Sequence, residues 1–379
     1  MSLCKALFIG TVLLYSLCAC SKNSANEDEQ LGLNYELEII DSIQVEVMER
    51  ITAMDFNNGN GVVYSNQNNQ ITLFDADGKT LKSQTYPKEG PGSIVSVTNL
   101  RLLDNGNIVL YPSFGNRLII LDADLEMKKI IEMPFPSELR GSSYFRYMLA
   151  VHGGDVFLFY PGRDGGNPYR NNFYKDYKML EKVNLQSGLS QATYKLPENS
   201  KYQSDLTYSY PNITVSAGND KIYLALDTES LIHIFDPKSD SPALETLDFK
   251  PQKFVQMPGE KAEYVNDYGK IYKGRVKNLF AIPNGVLVYY HEGIEGDIFQ
   301  REALIERENW PKLPDFDKEI LKVYVEGKGW SNEVLVPPYV KAISGIHDLG
   351  NHFYVFRHDD YLGEEQDYLT FYKMKLVRK

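Results

Sequence analysis

The stretch NGNGVVYSNQNNQITLFDAD (Asn58–Asp77) recurs 47 positions later as NGNIVLYPSFGNRLIILDAD (Asn105–Asp124). Asn58, Gly59, Asn60, Tyr64, Asn69, Asp75 and Asp77 all meet their own kind in the second copy. Each copy reads the same way. An Asn/Gly turn, tolerant of positive φ, leads into a short apolar strand. A polar loop follows, then a third strand (ITLFD, RLIILD), an Asp turn and a fourth strand (TLKSQTY, EMKKIIEM). Four strands in a period of 40 to 50 residues are the unit of a β-propeller blade. One such unit cannot bury both of its faces, so several must stack.

The second strand is the easiest to find again. It reads GVVY (61–64), IVLY (108–111), VFLFY (156–160), KIYLAL (221–226), GVLVYY (285–290) and HFYVF (352–356), each after a Gly, Asn or Asp turn. Six copies predict six blades, with insertions in blades three to five where the spacing widens. The last blade shows three strands, near Ser344–His347, His352–Arg357 and Asp367–Leu376, before the chain ends. Its fourth is expected from YELEII (Tyr35–Ile40), which alternates as a strand does, so that the two termini share one sheet and leave fewer open edges. FDKEILKVYV (Phe316–Val325) reads equally as helix or strand. The expected fold is all-β: a six-bladed propeller of four-stranded blades over residues 35–379.

The N-terminus carries a different message. Lys5 is the only charge in the first nineteen residues, and Ala6–Leu17 is apolar. That run is shorter than the about 20 residues a membrane span needs but suits a signal peptide. It ends Leu17-Cys18-Ala19-Cys20, which resembles a bacterial lipobox. Small Ala19 before the cysteine favours Cys20 as the lipidated residue. Residues 1–19 are thus expected to be a lipoprotein signal peptide and 20–34, polar and acidic, a flexible tether. The three cysteines are Cys4, Cys18 and Cys20. The body has none, which excludes a thiol enzyme and disulfide staples. A net charge of −11 with no long basic run argues against a nucleic-acid partner. The 27 Tyr and 18 Phe suit β-structure.

The blade text, the EGPGS turn (Glu89–Ser93) and the lipobox together resemble the six-bladed, TolB-like β-propeller lipoproteins of Bacteroidetes, classed mostly as domains of unknown function. The resemblance implies an outer-membrane anchor, on the periplasmic or surface side, and a binding or scaffolding role. That family carries no agreed catalytic residues, so no residue role follows from it.

The chemistry-bearing segments point the same way. DADG (Asp75–Gly78) and DAD (Asp122–Asp124) lack the remaining ligands of a calcium loop and read as hairpin turns. EGPGS lacks the lysine and helix of a phosphate-binding loop. There is no G-x-S-x-G elbow. His152 and His347, near the ends of innermost strands, are positioned to meet in the central channel, but no metal or other cofactor is expected. The informative segments are the loops between second and third strands. They offer Phe114, Arg163, Tyr169, Arg170, Phe173, His291, Glu292, His358, Asp359 and Tyr361 as candidate ligand-binding residues, led by the long loop Pro161–Tyr174. Aromatic and charged groups together suit a glycan, a peptide or an envelope protein, with Arg163 and Arg170 gripping a carboxylate. The expected function is a non-catalytic envelope lipoprotein that binds on this loop face, joined to the membrane only by its lipid. The alternative is a lactonase-like propeller hydrolase or lyase with a cation in the channel. Asp55, Asn99, Asn212, Asn278 and Asp348 are its scattered candidates.

Overall fold

A computed structural model of the protein describes residues 32–113, 115–139, 145–240, 242–264, 272–364 and 366–379. Cys20, the signal segment, most of the tether and Phe114 lie outside the described residues. The fold is a six-bladed β-propeller. Blade 1 comprises β2–β5 (Ile51–Asn57, Asn60–Ser65, Gln70–Phe74, Thr80–Thr85), and blade 2 comprises β6–β9 (Val97–Leu102, Ile108–Pro112, Arg117–Leu121, Met127–Glu132). Blade 3 comprises β10–β13 (Leu149–His152, Asp155–Leu158, Leu180–Asn184, Ser190–Thr193), and blade 4 comprises β14–β17 (Ile213–Gly218, Lys221–Leu226, Leu231–Phe235, Glu245–Asp248). Blade 5 comprises β18–β21 (Arg275–Ile282, Gly285–His291, Glu319–Val325, Gly329–Trp330), with β22 (Val334–Val336) also paired to β20. The sixth sheet joins β23 (Val340–Ser344), β24 (Phe353–Arg357), β25 (Leu369–Arg378) and β1 (Tyr35–Val45) in the order β1-β25-β24-β23. There β1 runs antiparallel to β25, from Tyr35 opposite Arg378 to Val45 opposite Leu369.

Burial explains why the second strands were readable. β7 (IVLYP) and β19 (GVLVYYH) are buried at every position, because neighbouring blades pack on both faces of each sheet. The outermost β5 and β9 alternate towards water. The Asp turns are backbone caps. Asp75 Oδ1 accepts from the Asp77 and Lys79 amides, both at 3.0 Å, and Asp122 Oδ1 does the same for Asp124 and Glu126 at 2.9 and 3.0 Å. Gly78 sits at φ +85°, and a Cβ there would meet the Gln44 carbonyl of β1 at 2.3 Å, so only glycine fits.

Three readings change. Phe316–Val325 is mainly the strand β20, preceded by a single helical turn at Leu313–Phe316. The inner strand of blade 6 is Val340–Ser344, so Ser344–His347 is its end and turn. The loop of blade 5 runs far beyond Asp297. It spans 292–318, with short helices and its own apolar cluster of Ile294, Phe299 and Leu304.

Candidate functional site

The inner strands β2, β6, β10, β14, β18 and β23 surround the propeller axis, and part of the space between them is taken by a segment of the chain. The connection entering blade 3 brings Phe145–Met148 inward before β10 begins. Tyr147 is the hub. Its N–H donates to Asn278 Oδ1 (2.9 Å), its carbonyl accepts from Val215 (2.8 Å), and its hydroxyl donates to Asp55 Oδ1 (3.2 Å) and contacts Ser344 Oγ. The Met148 amide donates to Asn99 Oδ1 at 2.6 Å. Arg146 donates to the Val276 carbonyl (2.8 Å) and lies 3.9 Å from Asp227. Arg146, Tyr147 and Met148 thereby tie this segment to blades 1, 2, 4, 5 and 6.

Burial sets the electrostatics. Desolvation brings the Arg146 guanidinium down to about 10, with the Asp227 charge pulling the other way. Burial, then Asp55, pushes the Tyr147 phenol upward, so it remains a donor. Asp55 also accepts from the Leu102 amide (2.9 Å) and pairs with Arg101 (3.2 Å), whose guanidinium lies 4.3 Å from the Tyr147 ring centre. The expectation that inner-strand polar residues show no common register needs correction. Asn99 and Asn278 each follow a bulge, pair with Tyr111 and Tyr289, and accept a backbone N–H of the inserted segment. The shared text V-x-N-L (Val97–Leu100, Val276–Leu279) carries that signal. Asn212 instead pairs with Asp227 at 2.8 Å. A channel cation meets an occupied position, beside the positive charge of Arg146. Among the described residues no group of three or more His, Cys, Asp or Glu is placed to hold a metal ion.

On the loop face the expected residues divide. Arg163 is committed internally: its Nε and Nη2 donate to the two carboxylate oxygens of buried Glu181 at 2.8 and 2.7 Å. Phe173 is core, stacked on Tyr177 with centroids 4.4 Å apart. His291 is buried, its Nδ1 2.7 Å from Asp317 and its Nε2 3.3 Å from Arg275, and desolvation lowers its pKa despite the aspartate. Burial also raises the half-buried Glu292 carboxyl. His358 caps the turn Asp359–Leu362 by accepting from the Tyr361 amide, and Asp359 is bound by Arg357 at 2.6 Å. Tyr361 is exposed.

Tyr169 and Arg170 belong to something larger. The blade-3 loop, the connection into blade 4 and the connection into blade 5 knit together. Arg170 bridges Tyr264, the Asn171 amide donates to the Glu263 carbonyl (3.2 Å), and Thr207 and Glu260 exchange backbone bonds of 2.8 and 2.9 Å. Tyr169 stacks on Tyr210 at 4.9 Å. Arg170 lies 5.8 Å over the ring of Tyr264, which is 53% exposed. A cavity of about 150 Å³ opens beside them, lined by Tyr208, Met257, Tyr264, Tyr272 and Lys273. Lys201 is half-buried, 4.9 Å from the Tyr208 ring centre and bonded to the Thr228 carbonyl (2.6 Å); desolvation brings it down to about 8. Sequence reasoning stopped at Tyr174 and missed Tyr208, Tyr264, Tyr272 and Lys201, which lie in connections of no repeated pattern.

No helix among the described residues is long and apolar enough to cross a membrane. No family model matches the chain, and no curated protein matches it. Its fold is similar to solved structures. A DUF4221 family member from Bacteroides vulgatus aligns at 13% identity over 91% of this chain and 99% of the other, with a TM-score of 0.62. A proposed exported protein of Bacteroides fragilis aligns at 8% identity over 90% and 96%, with a TM-score of 0.51. What this chain shares with both is the propeller fold.

Proposed function

We propose that the protein is a non-catalytic binding propeller of the cell envelope, lipid-anchored through Cys20, that recognises a carboxylate-bearing glycan or peptide on its loop face. The observation that carries this reading is the ordered aromatic cap. Exposed Tyr264 and half-buried Lys273 line one small cavity, and exposed Arg170 lies over the Tyr264 ring. An aromatic face takes a sugar ring or an apolar side chain, while cations take a carboxylate. At about 150 Å³ the cavity suits one ring rather than a drug-sized ligand, for which about 300 Å³ is a lower bound. The segment Arg146–Met148 at the axis supports binding over channel chemistry, since Asp55, Asn278 and Ser344 are engaged by Tyr147 there. The signal-like Ala6–Leu17 run, with Cys20 after it, supports the envelope placement, as does the proposed export of the Bacteroides fragilis relative.

The test is a glycan and peptide array probed with wild type, Arg170→Ala and Tyr264→Ala. Each substitution should weaken the captured ligand about thirtyfold, the effect of a ~2 kcal/mol contact, without changing the melting temperature. Equal affinity in both variants removes the site from this face. Anchoring is checked separately: Cys20→Ser should abolish labelling by a palmitate analogue, and persistent labelling rules Cys20 out.

A further inference from the structure

The opposite end of the propeller, where first strands turn into second strands, carries a larger cavity. It measures about 820 Å³ and lies among residues of blades 1, 2, 3, 4 and 6. That volume is within the ~300–1,000 Å³ typical of small-molecule sites. One wall is aliphatic, from Leu103, Ile120, Val151 and Leu185. The charged lining is one-sided: Arg101, Lys128 and Lys129 stand against a single carboxylate, Asp104, and His152 and His347 also line the cavity. In a chain of net charge −11 that balance is unusual.

Most of these groups have partners. Asp104 accepts from the Asn57 and Asn58 amides at 2.9 and 3.3 Å. Lys129 is held by the Leu185 and Gln186 carbonyls, His152 by Asp220 at 3.2 Å, and His347 by the Phe56 carbonyl at 2.8 Å. Two cations keep donors open. Lys128 is exposed and has no partner among the described residues. Arg101 uses Nε for buried Asp55 and holds its guanidinium carbon 4.3 Å from the Tyr147 ring centre, and its two terminal NH₂ groups have no hydrogen-bond partner among the described residues. A planar guanidinium with both terminal nitrogens open matches a carboxylate bidentately.

We propose that this cavity binds a small organic anion, a carboxylate carried on an apolar body. The carboxylate sits on Arg101 and Lys128, and the body covers the aliphatic wall. Arg101 already balances the Asp55 charge, and Lys128 and Lys129 supply the remaining positive field. A bare inorganic anion leaves the aliphatic wall uncovered, which is why the ligand class includes the body. This site is independent of the aromatic cap on the other face.

The test uses the full chain carrying Cys20→Ser, so that no acyl group competes, with 1-naphthoate and neutral 1-naphthamide as probes in ligand-observed saturation-transfer NMR. Naphthoate should bind saturably and about tenfold more tightly than the amide. Lys128→Glu, at an exposed position, should weaken naphthoate about tenfold and leave naphthamide unchanged. Arg101→Gln should lose naphthoate binding; because it also unpairs Asp55, its result counts only if its near-ultraviolet circular dichroism matches wild type. Tyr264→Ala should have no effect. The proposal is overturned by naphthamide binding as well as naphthoate, by Lys128→Glu changing naphthoate affinity less than about twofold, or by no saturable signal. Displacement of naphthoate by an equal concentration of sulfate would overturn the apolar-body requirement.

Discussion

If Tyr147 ties the inner strands together, removing parts of it should have graded effects. In Tyr147→Phe the ring stays and only the hydroxyl is lost. Asp55 then keeps the Leu102 amide, Arg101 and Ser344 Oγ at 2.9, 3.2 and 3.3 Å. A hydrogen bond to a charged acceptor contributes about 1.5–3 kcal/mol, and with three donors remaining the lower end applies, about 1.5 kcal/mol. In Tyr147→Ala a side chain only 4% exposed disappears from a packed interior. Aromatic-to-alanine changes in cores cost about 3–5 kcal/mol, so with the hydroxyl the loss is about 5 kcal/mol. For about 345 folded residues at ~2.1 cal/mol/K each, the unfolding entropy is about 0.7 kcal/mol/K, and the two variants should melt about 2 and about 7 °C below wild type. Differential scanning calorimetry reads both shifts. A Tyr147→Ala protein melting within about 1 °C of wild type would refute the reasoning, because no well-packed hub tolerates that loss.

Deleting residues 21–42 removes most of β1 and should destabilise the protein strongly, whereas deleting 21–32 should not; equal melting temperatures would show that β1 does not hold the ring. Arg163→Ala leaves the Glu181 carboxylate, 2% exposed, without its guanidinium, and should cost about 3–5 kcal/mol in urea unfolding; a normal midpoint would return Arg163 to the list of ligand contacts. Burial lowers the pKa of His291, His352 and His358 below the ordinary 6.5. The unfolded chain therefore binds more protons below about pH 6.5, and stability should fall as the pH drops from 7.5 to about 5.5. Carboxylates held low, such as Asp317 and Asp360, act only in stronger acid. His291→Gln should make the fall shallower, and a flat wild-type profile across that range would contradict the assignment.

The blades were legible because a strand buried on both faces must be apolar along its whole length, and because Asn58/Asn105 and Asp75/Asp122 mark the turns between such strands. The segment at the axis was not. RYMLAVH (Arg146–His152) reads as an inner strand, yet β10 starts only at Leu149, and Arg146 and Tyr147 leave the sheet because polar groups on the other inner strands satisfy them. Arg163 and His291 sit on loops, where charge ordinarily means solvent. Their partners, Glu181 and Asp317, lie 18 and 26 positions away and share no motif with them. Asp75 and Asp122 were readable for the opposite reason, since each binds only its own turn.

Tyr147 also has a kinetic meaning. Its partners Asp55, Asn278 and Ser344 are 92, 131 and 197 positions distant along the chain. Blades of a repeat protein that touch only their neighbours can fold in succession, with stability adding unit by unit. Here the centre of the molecule remains unfinished until the final blade has been synthesised and Ser344 has arrived. Contacts of such separation carry the largest loop-closure entropy and form slowly. The first five blades emerging from a ribosome therefore wait on the sixth, and the ring sets as one cooperative body rather than blade by blade.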